Sequence, residues 1–506
     1  MRTEDPAPDE ATTLEGLRSL GVIAVVLVAA GLLTYLVPSF ADMRPWVPGE
    51  PAPLASLFSP AEELFAFAGT GNTGEATSAN AEEELGAAVA ANLGASEEEP
   101  EPSGPRVSVA ASEYEGIEVP IEDPSGRGMA PFYEALRRTA LEEEGAITRI
   151  THYGDSTIAT DLVTSTVRRR LQRRFGDAGH GFILVAKGYL PYRHRDIIHR
   201  SSDEWSLREI TRNHDPAGLY GLGGIQFRGT PGASASFATG DDMPVGTAVS
   251  RFEIWYQEHR RGGDIHYWVD DGPRQIVHTR EEVTDDAVHR IDLPDGSHRL
   301  RVRFGGHGQP RLYGVVLERE GPGVVYDSIG LVGARAARLL NYDAEHIAGQ
   351  LERRGTDLLV LGFGGNEAGD NIQRQRYEED FRRVIRRMRA GREDLGCLVF
   401  APLDQAERDD RGRIRTMRTM HDIVAAQRSA AEALGCAFFD TFTAMGGEGA
   451  MAAWYAARPR LAMSDFRHAT PAGYEVIGNL FYKALLKGLA DHLEGRAAAA
   501  AGRGGE

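Results

Sequence analysis

Ala146-Ile-Thr-Arg-Ile-Thr-His-Tyr153, then Gly154-Asp155-Ser156, then a helix-patterned stretch over 158–175, is the part of the sequence that decides the fold. A strand that stops at a glycine and opens at once into a helix is the unit from which parallel sheets are built. The unit recurs after residue 321. Apolar runs at 357–363, 397–401 and 436–440 read as buried strands with helical sequence between them, and 472–494 reads as a closing helix. Upstream, 129–141 has a helical pattern. This alternation predicts an α/β fold, a three-layer, doubly wound parallel sheet.

Between the two α/β parts the period changes. Over 219–320 the runs alternate apolar with polar, as in Arg251-Phe-Glu-Ile-Trp-Tyr and His298-Arg-Leu-Arg-Val-Arg-Phe, with turn signals such as Asp271-Gly272-Pro273. Short alternating strands at this spacing predict an inserted all-β sandwich. Trp255, Tyr256, Tyr267 and Trp268 lie on two of its strands. They could stack on sugar faces, but the simpler reading is sandwich core. The α/β sequence is thus split into 111–218 and 321–494.

The N-terminal region differs in kind. Residues 19–37 are apolar and uncharged, and at about 1.5 Å per residue they span roughly 28 Å, enough for a bilayer core. They read as a transmembrane anchor behind a short tail at 1–18, with a cleaved signal peptide as the rival. Residues 38–110 are rich in Ala, Glu, Pro, Gly and Ser, with acid runs at Glu82-Glu83-Glu84 and Glu97-Glu98-Glu99. They read as a disordered acidic linker, and the Ala-rich 495–506 as a disordered tail.

The chain has 506 residues and a net charge of −18, which argues against a nucleic-acid partner. The Arg168–Arg174 run reads as a solvated helix face. Cys397 and Cys436 each sit in a strand-like run. They read as buried free thiols, a single bond remaining possible if those strands are neighbours. No Cys/His set has metal-ligand spacing, and no cofactor is called for.

Four short blocks carry chemistry. Gly154-Asp155-Ser156 places a serine at the carboxyl edge of a sheet, where open α/β folds bind ligands. Gly330-Leu331-Val332-Gly333-Ala334 offers an open backbone N–H at Gly333. Gly362-Phe363-Gly364-Gly365-Asn366 offers the Asn366 amide. Asp465-Phe466-Arg467-His468 sets a carboxylate three residues before an imidazole, close enough to fix its tautomer and free the other nitrogen for a serine proton. Each block alone could be ordinary turn or cap chemistry. Together they describe a nucleophile, a base with its orienter, and oxyanion donors at strand ends of one sheet.

In this order the blocks resemble the SGNH (GDSL) hydrolases over roughly 121–493. The resemblance implies a catalytic triad of Ser156, Asp465 and His468, and an oxyanion hole from the Ser156 N–H, Gly333 and Asn366. Gly365 departs from the Thr or Ser that many members have there, which should loosen the loop. The inserted module and its exit, Val324-Val-Tyr-Asp-Ser-Ile-Gly-Leu-Val-Gly-Ala334, look like those of bacterial peptidoglycan O-acetylesterases, whose insert is a carbohydrate-binding-module-like jelly roll. That implies a serine esterase removing O-acetyl groups from an envelope polysaccharide, anchored on the periplasmic face of the inner membrane. The alternatives are an O-acetyltransferase on the same scaffold and an idle carbohydrate-binding protein.

Overall fold

The computed structural model describes residues 107–189, 192–240, 245–370 and 372–503. The tail at 1–18, the anchor at 19–37 and nearly all of the linker at 38–110 lie outside them. Among the described residues no helix is long and apolar enough to cross a membrane. The last residues given to the linker belong to the fold, since Val107 and Val109 pack against the core.

Five strands form the parallel sheet: β1 (Ile147–Gly154), β2 (Gly323–Gly330), β3 (Leu358–Gly362), β4 (Gly396–Phe400) and β5 (Ala437–Phe439). Their spatial order is β2-β1-β3-β4-β5, the doubly wound order whose direction reverses between β1 and β3. All residues of β3 and β4 are buried, as expected for strands covered on both faces by helices. One layer contains the helices Ala130–Ala140, Leu162–Phe175 and Pro471–Arg503, which share a core with Ile150, Val324 and Val360. On the other side Ala344–Arg354, Arg374–Met388 and Thr419–Ala433 pack with Leu359, Leu361 and Val399.

The register explains why the functional loops start level. Gly154 at the end of β1 pairs with Gly330 of β2 on one side and with Gly362 of β3 on the other. The row has no room for side chains. A Cβ on Gly154 would lie 2.2 Å from Ile158, and one on Gly330 would lie 2.1 Å from the Ala159 backbone. The short helix Ser156–Ala159 therefore rests directly on the strand ends.

The β-rich insertion forms two antiparallel sheets, of six and five strands, whose inner faces share one core containing Phe227, Ile254, Phe237 and Val302. These sheets begin before residue 219. Gly179–Leu184 pairs with Arg311–Glu318, while Ile198–Ser201 and Ser206–Glu209 lie at sheet edges. The edge strands Ile-His-Arg-Ser and Ser-Leu-Arg-Glu carry no apolar alternation to announce them.

Three further expectations are corrected. Cys397 and Cys436 form a disulfide, because the register Leu398↔Ala437 between β4 and β5 brings their neighbours side by side. The closing helix runs on to Arg503, where alanines favour helix over disorder. The Arg168–Arg174 run is no solvated face. Arg168 is fully buried and donates to both oxygens of Asp161 at 3.0 and 2.8 Å, and buried Arg174 reaches Glu113 at 2.8 Å. Of the four aromatics, Trp255 and Tyr256 are core, while Tyr267 and Trp268 are half-buried.

A buried ionic joint ties the two parts together. Glu318, the last residue of an antiparallel strand, accepts from Arg149 of β1 at 3.1 and 2.8 Å, from Arg354 at 2.5 Å and from Arg251. Arg354 also donates to Asp327 of β2 at 2.7 and 3.0 Å, and Asp327 accepts the Phe182 N–H at 2.7 Å. Removing one member of such a cluster strands buried charge. Arg354→Ala should lower unfolding stability by roughly 3–5 kcal/mol in a denaturant titration. A loss below about 1 kcal/mol, the value of a surface pair, would contradict the joint.

Candidate active site

All four sequence blocks arrive at the carboxyl edge of β1, β2 and β3 or beside it. Ser156 follows β1 by two residues and opens the four-residue helix Ser156–Ala159. The expected helix over 158–175 breaks at Asp161, whose φ of 54° is left-handed. Its carboxylate is held there by Arg168, by Thr164 at 2.6 Å and by the Arg195 N–H at 2.7 Å. That buried knot fixes the turn directly behind the serine.

His468 lies 312 residues further along the chain, yet its Nε2 is 2.9 Å from Ser156 Oγ. Its Nδ1 is 2.6 Å from Asp465 Oδ2. The other Asp465 oxygen accepts the Arg467 and His468 backbone N–H groups at 3.0 and 3.1 Å. This tight turn needs a left-handed residue, supplied by Phe466 at φ 56°, and Gln405 Nε2 braces it by donating to Arg467 O at 3.0 Å. Burial pushes the Asp465 carboxyl up, but the hydrogen bonds from His468 and the two N–H groups outweigh it and hold it at about 2. The same Asp465 bond raises the His468 pKa, against the lowering by burial. A carboxylate, an imidazole and a hydroxyl thus stand in one hydrogen-bonded line.

The donors stand on the neighbouring loops. Gly333 is exposed, with φ 70° and open space where a side chain would be. The Asn366 amide donates one hydrogen to Ala334 O at 3.0 Å, which ties the β3 loop to the β2 loop and leaves its second hydrogen for a ligand. A Cβ on Gly365 would meet Asp155 Oδ2 at 3.2 Å and Gln405 Nε2 at 3.3 Å. The glycine therefore allows close packing between the loops that carry Ser156 and Asn366.

Two carboxyls escaped the sequence reading. Asp155 is buried and caps the helix Ser156–Ala159 through the Thr157 N–H at 2.9 Å. Glu367 is buried beside Asn366. Its Oε1 accepts the Ala336 N–H at 2.8 Å, a second link between the β2 and β3 loops, while its Oε2 has no hydrogen-bond partner. Arg335 and Asp370 add a third link at 2.6 Å. Burial and the nearby Asp155 charge push the Glu367 carboxyl up to about 7, despite the Ala336 bond. The only sequence signal was its place directly after Asn366 in a glycine-rich loop.

Residues 295–476 match the GDSL-like lipase/acylhydrolase family, so the chain carries a domain of that family and is an ester-bond hydrolase. The matched stretch contains Gly333, Asn366, Asp465 and His468. Ser156 stands before it, separated by the antiparallel sheets. Among solved structures, a peptidoglycan O-acetylesterase matches with a TM-score of 0.61 at 21% identity, covering 73% of this chain and 99% of its own. A family two carbohydrate esterase from Cellvibrio japonicus (13% identity, 47% and 85% covered) and one with a carbohydrate-binding domain from Corynascus (12%, 56% and 99%) reach TM-scores of only 0.18 and 0.27, too low to carry an argument. No curated protein matches the sequence.

The Asp465 contact has a direct spectroscopic consequence. An NMR titration of the His468 ring should give a pKa above 6.5 in the native chain. In Asp465→Asn it should fall, because the charged hydrogen-bond partner that raises it is gone. An unchanged value would show that Asp465 does not set the ionisation of His468.

Proposed function

We propose that this protein is a serine esterase that removes O-acetyl groups from an envelope polysaccharide such as peptidoglycan. The observation that carries the reading is the Ser156 Oγ–His468 Nε2–Asp465 line, with hydrogen-bond donors on the two adjoining strand ends. Ser156 Oγ attacks the acetyl carbonyl carbon while His468 Nε2 takes its proton. The N–H groups of Ser156 and Gly333 and the free Asn366 hydrogen stabilise the oxyanion. As the tetrahedral intermediate collapses, the sugar oxygen leaves with the proton from His468. Water, deprotonated by the same ring, then attacks acetyl-Ser156 and releases acetate. Asp465 keeps Nδ1 protonated and stabilises the imidazolium.

Glu367 fits this chemistry as a neutral carboxyl. An anion beside the oxyanion loop would oppose the charge that develops there, whereas the protonated acid braces Ala336 without that penalty. Its location outside the cytoplasm, anchored through 19–37, is part of the proposal. The Cys397–Cys436 bond supports it, because disulfides persist in oxidising compartments. The fold shared with a peptidoglycan O-acetylesterase supports the substrate class.

Acetate release from O-acetylated peptidoglycan, set against acetylated xylan and alginate, tests the substrate. Faster release from peptidoglycan is expected, and no release from any of the three would overturn the reading. On a small acetyl ester, Ser156→Ala and His468→Ala should each lower kcat by about 10³-fold or more, and Asn366→Ala by about 10²- to 10³-fold. kcat should rise with pH as His468 loses its proton, then decline above about 7 as Glu367 ionises. Glu367→Gln keeps the Ala336 bond and should abolish the decline. Identical profiles for the two proteins would remove Glu367 from the account.

A further inference from the structure

The five-stranded antiparallel sheet buries one face through Phe237, Ile265, Val277, Leu300 and Val302. Side chains alternate along a strand, so the residues between these positions point the other way, onto an open face. That face presents Arg299, Arg301 and Arg303 from one strand and Arg200 from another, all four exposed. His266 and half-buried Trp268 stand on the next strand.

The register gathers these groups. Arg301 lies opposite Trp268 on one side and Ser236 on the other; Ser236 in turn lies opposite Arg200, and Arg303 opposite His266. Opposed side chains across a sheet have Cβ atoms only about 4.5–5.5 Å apart. The Arg301 guanidinium sits 6.0 Å from the Trp268 ring centroid, and the His266 ring meets the indole edge-on at 6.3 Å.

None of the four arginines forms an ion pair among the described residues, whereas Arg149, Arg168, Arg174 and Arg354 are all paired with carboxylates. The acids bordering the face are already engaged: Asp264 bonds His278 and Asp270 bonds His298, each at 2.7 Å. Asp270 also accepts the Arg299 N–H at 2.8 Å, and its carbonyl accepts from the Arg301 guanidinium at 2.7 Å. Yet a chain with a net charge of −18 still gathers on one surface four guanidiniums without an ion pair among the described residues. Three arginines at alternate positions of one strand put like charges on one side of it, an arrangement that folding does not require.

We propose that this face binds a carboxylate-bearing glycan strand, with Arg200, Arg299, Arg301 and Arg303 holding the carboxylates and Trp268 stacking on a sugar ring. The inference rests on the reading that the enzyme acts on a polymer, and it specifies the polymer as anionic. Charge complementarity selects the anion. Trp268 offers an indole on which a pyranose can stack; Ile198 and Ile276 also project from this face, so the vesicle arm of the test separates a glycan from a lipid surface. Guanidiniums pair with carboxylates in a planar, two-pronged geometry that ammonium groups cannot match.

The test uses the full chain and polygalacturonate as probe, with methyl-esterified galacturonan and phosphatidylglycerol vesicles as the other arms. The protein should be retained by polygalacturonate, with affinity falling steeply as salt rises, and should bind the methyl ester about tenfold or more weakly. Arg301→Glu combined with Arg303→Glu should lose retention by a similar factor while keeping small-ester turnover, which also reports that the variant is folded. Tight binding to both galacturonans alike, or a preference for the vesicles, would overturn the proposal. So would unchanged retention in the double variant. Small-ester hydrolysis that fails in the native protein would sink the esterase reading alone and leave the binding result standing.

Discussion

The site depends on one steric constraint, the row of glycines that ends the three central strands. Gly154, Gly330 and Gly362 are in register, and the first two are pressed by the helix that begins at Ser156. A side chain at either position would lift that helix away from the sheet. The contact between Ser156 Oγ and His468 Nε2, 2.9 Å long, would go with it. Since the loops leave the sheet at one level, the donors after β2 and β3 can flank the serine after β1. This is the reversal point of the strand order, where doubly wound sheets place their ligands.

A second layer of constraint is ionic and buried. Asp161 with Arg168 fixes the turn behind Ser156, and Glu318 with Arg149, Arg251 and Arg354 fixes the antiparallel sheets to the parallel one. Such clusters add little net stability compared with apolar packing, but they allow one geometry only. Their role here is register: the long insertion between Ser156 and the rest of the site is held so that the serine returns to its histidine. The three links between the β2 and β3 loops do the same for Gly333 and Asn366.

The parallel sheet and the four blocks were legible because each rests on a local signal, an apolar run broken by glycine or a carboxylate three residues before a histidine. What was missed depends on partners far away in sequence. The Arg168–Arg174 run looks solvated until Asp161, Asp196 and Glu113 are placed around it. The cysteine pair follows from strand register, which sequence does not state. The two four-residue edge strands within 198–209 carry one apolar residue each, Ile198 and Leu207, and gave no period to read. Glu367 carries no motif of its own; only burial between two loops gives it chemistry.

The central claim is that Ser156 is a nucleophile activated by His468. A serine-directed fluorophosphonate forms a covalent adduct only with an activated hydroxyl. Peptide mass spectrometry of the labelled native chain should place a single adduct on Ser156, with labelling lost in Ser156→Ala and strongly slowed in His468→Ala. An adduct on another residue, or none at all in a protein that still hydrolyses acetyl esters, would contradict the account.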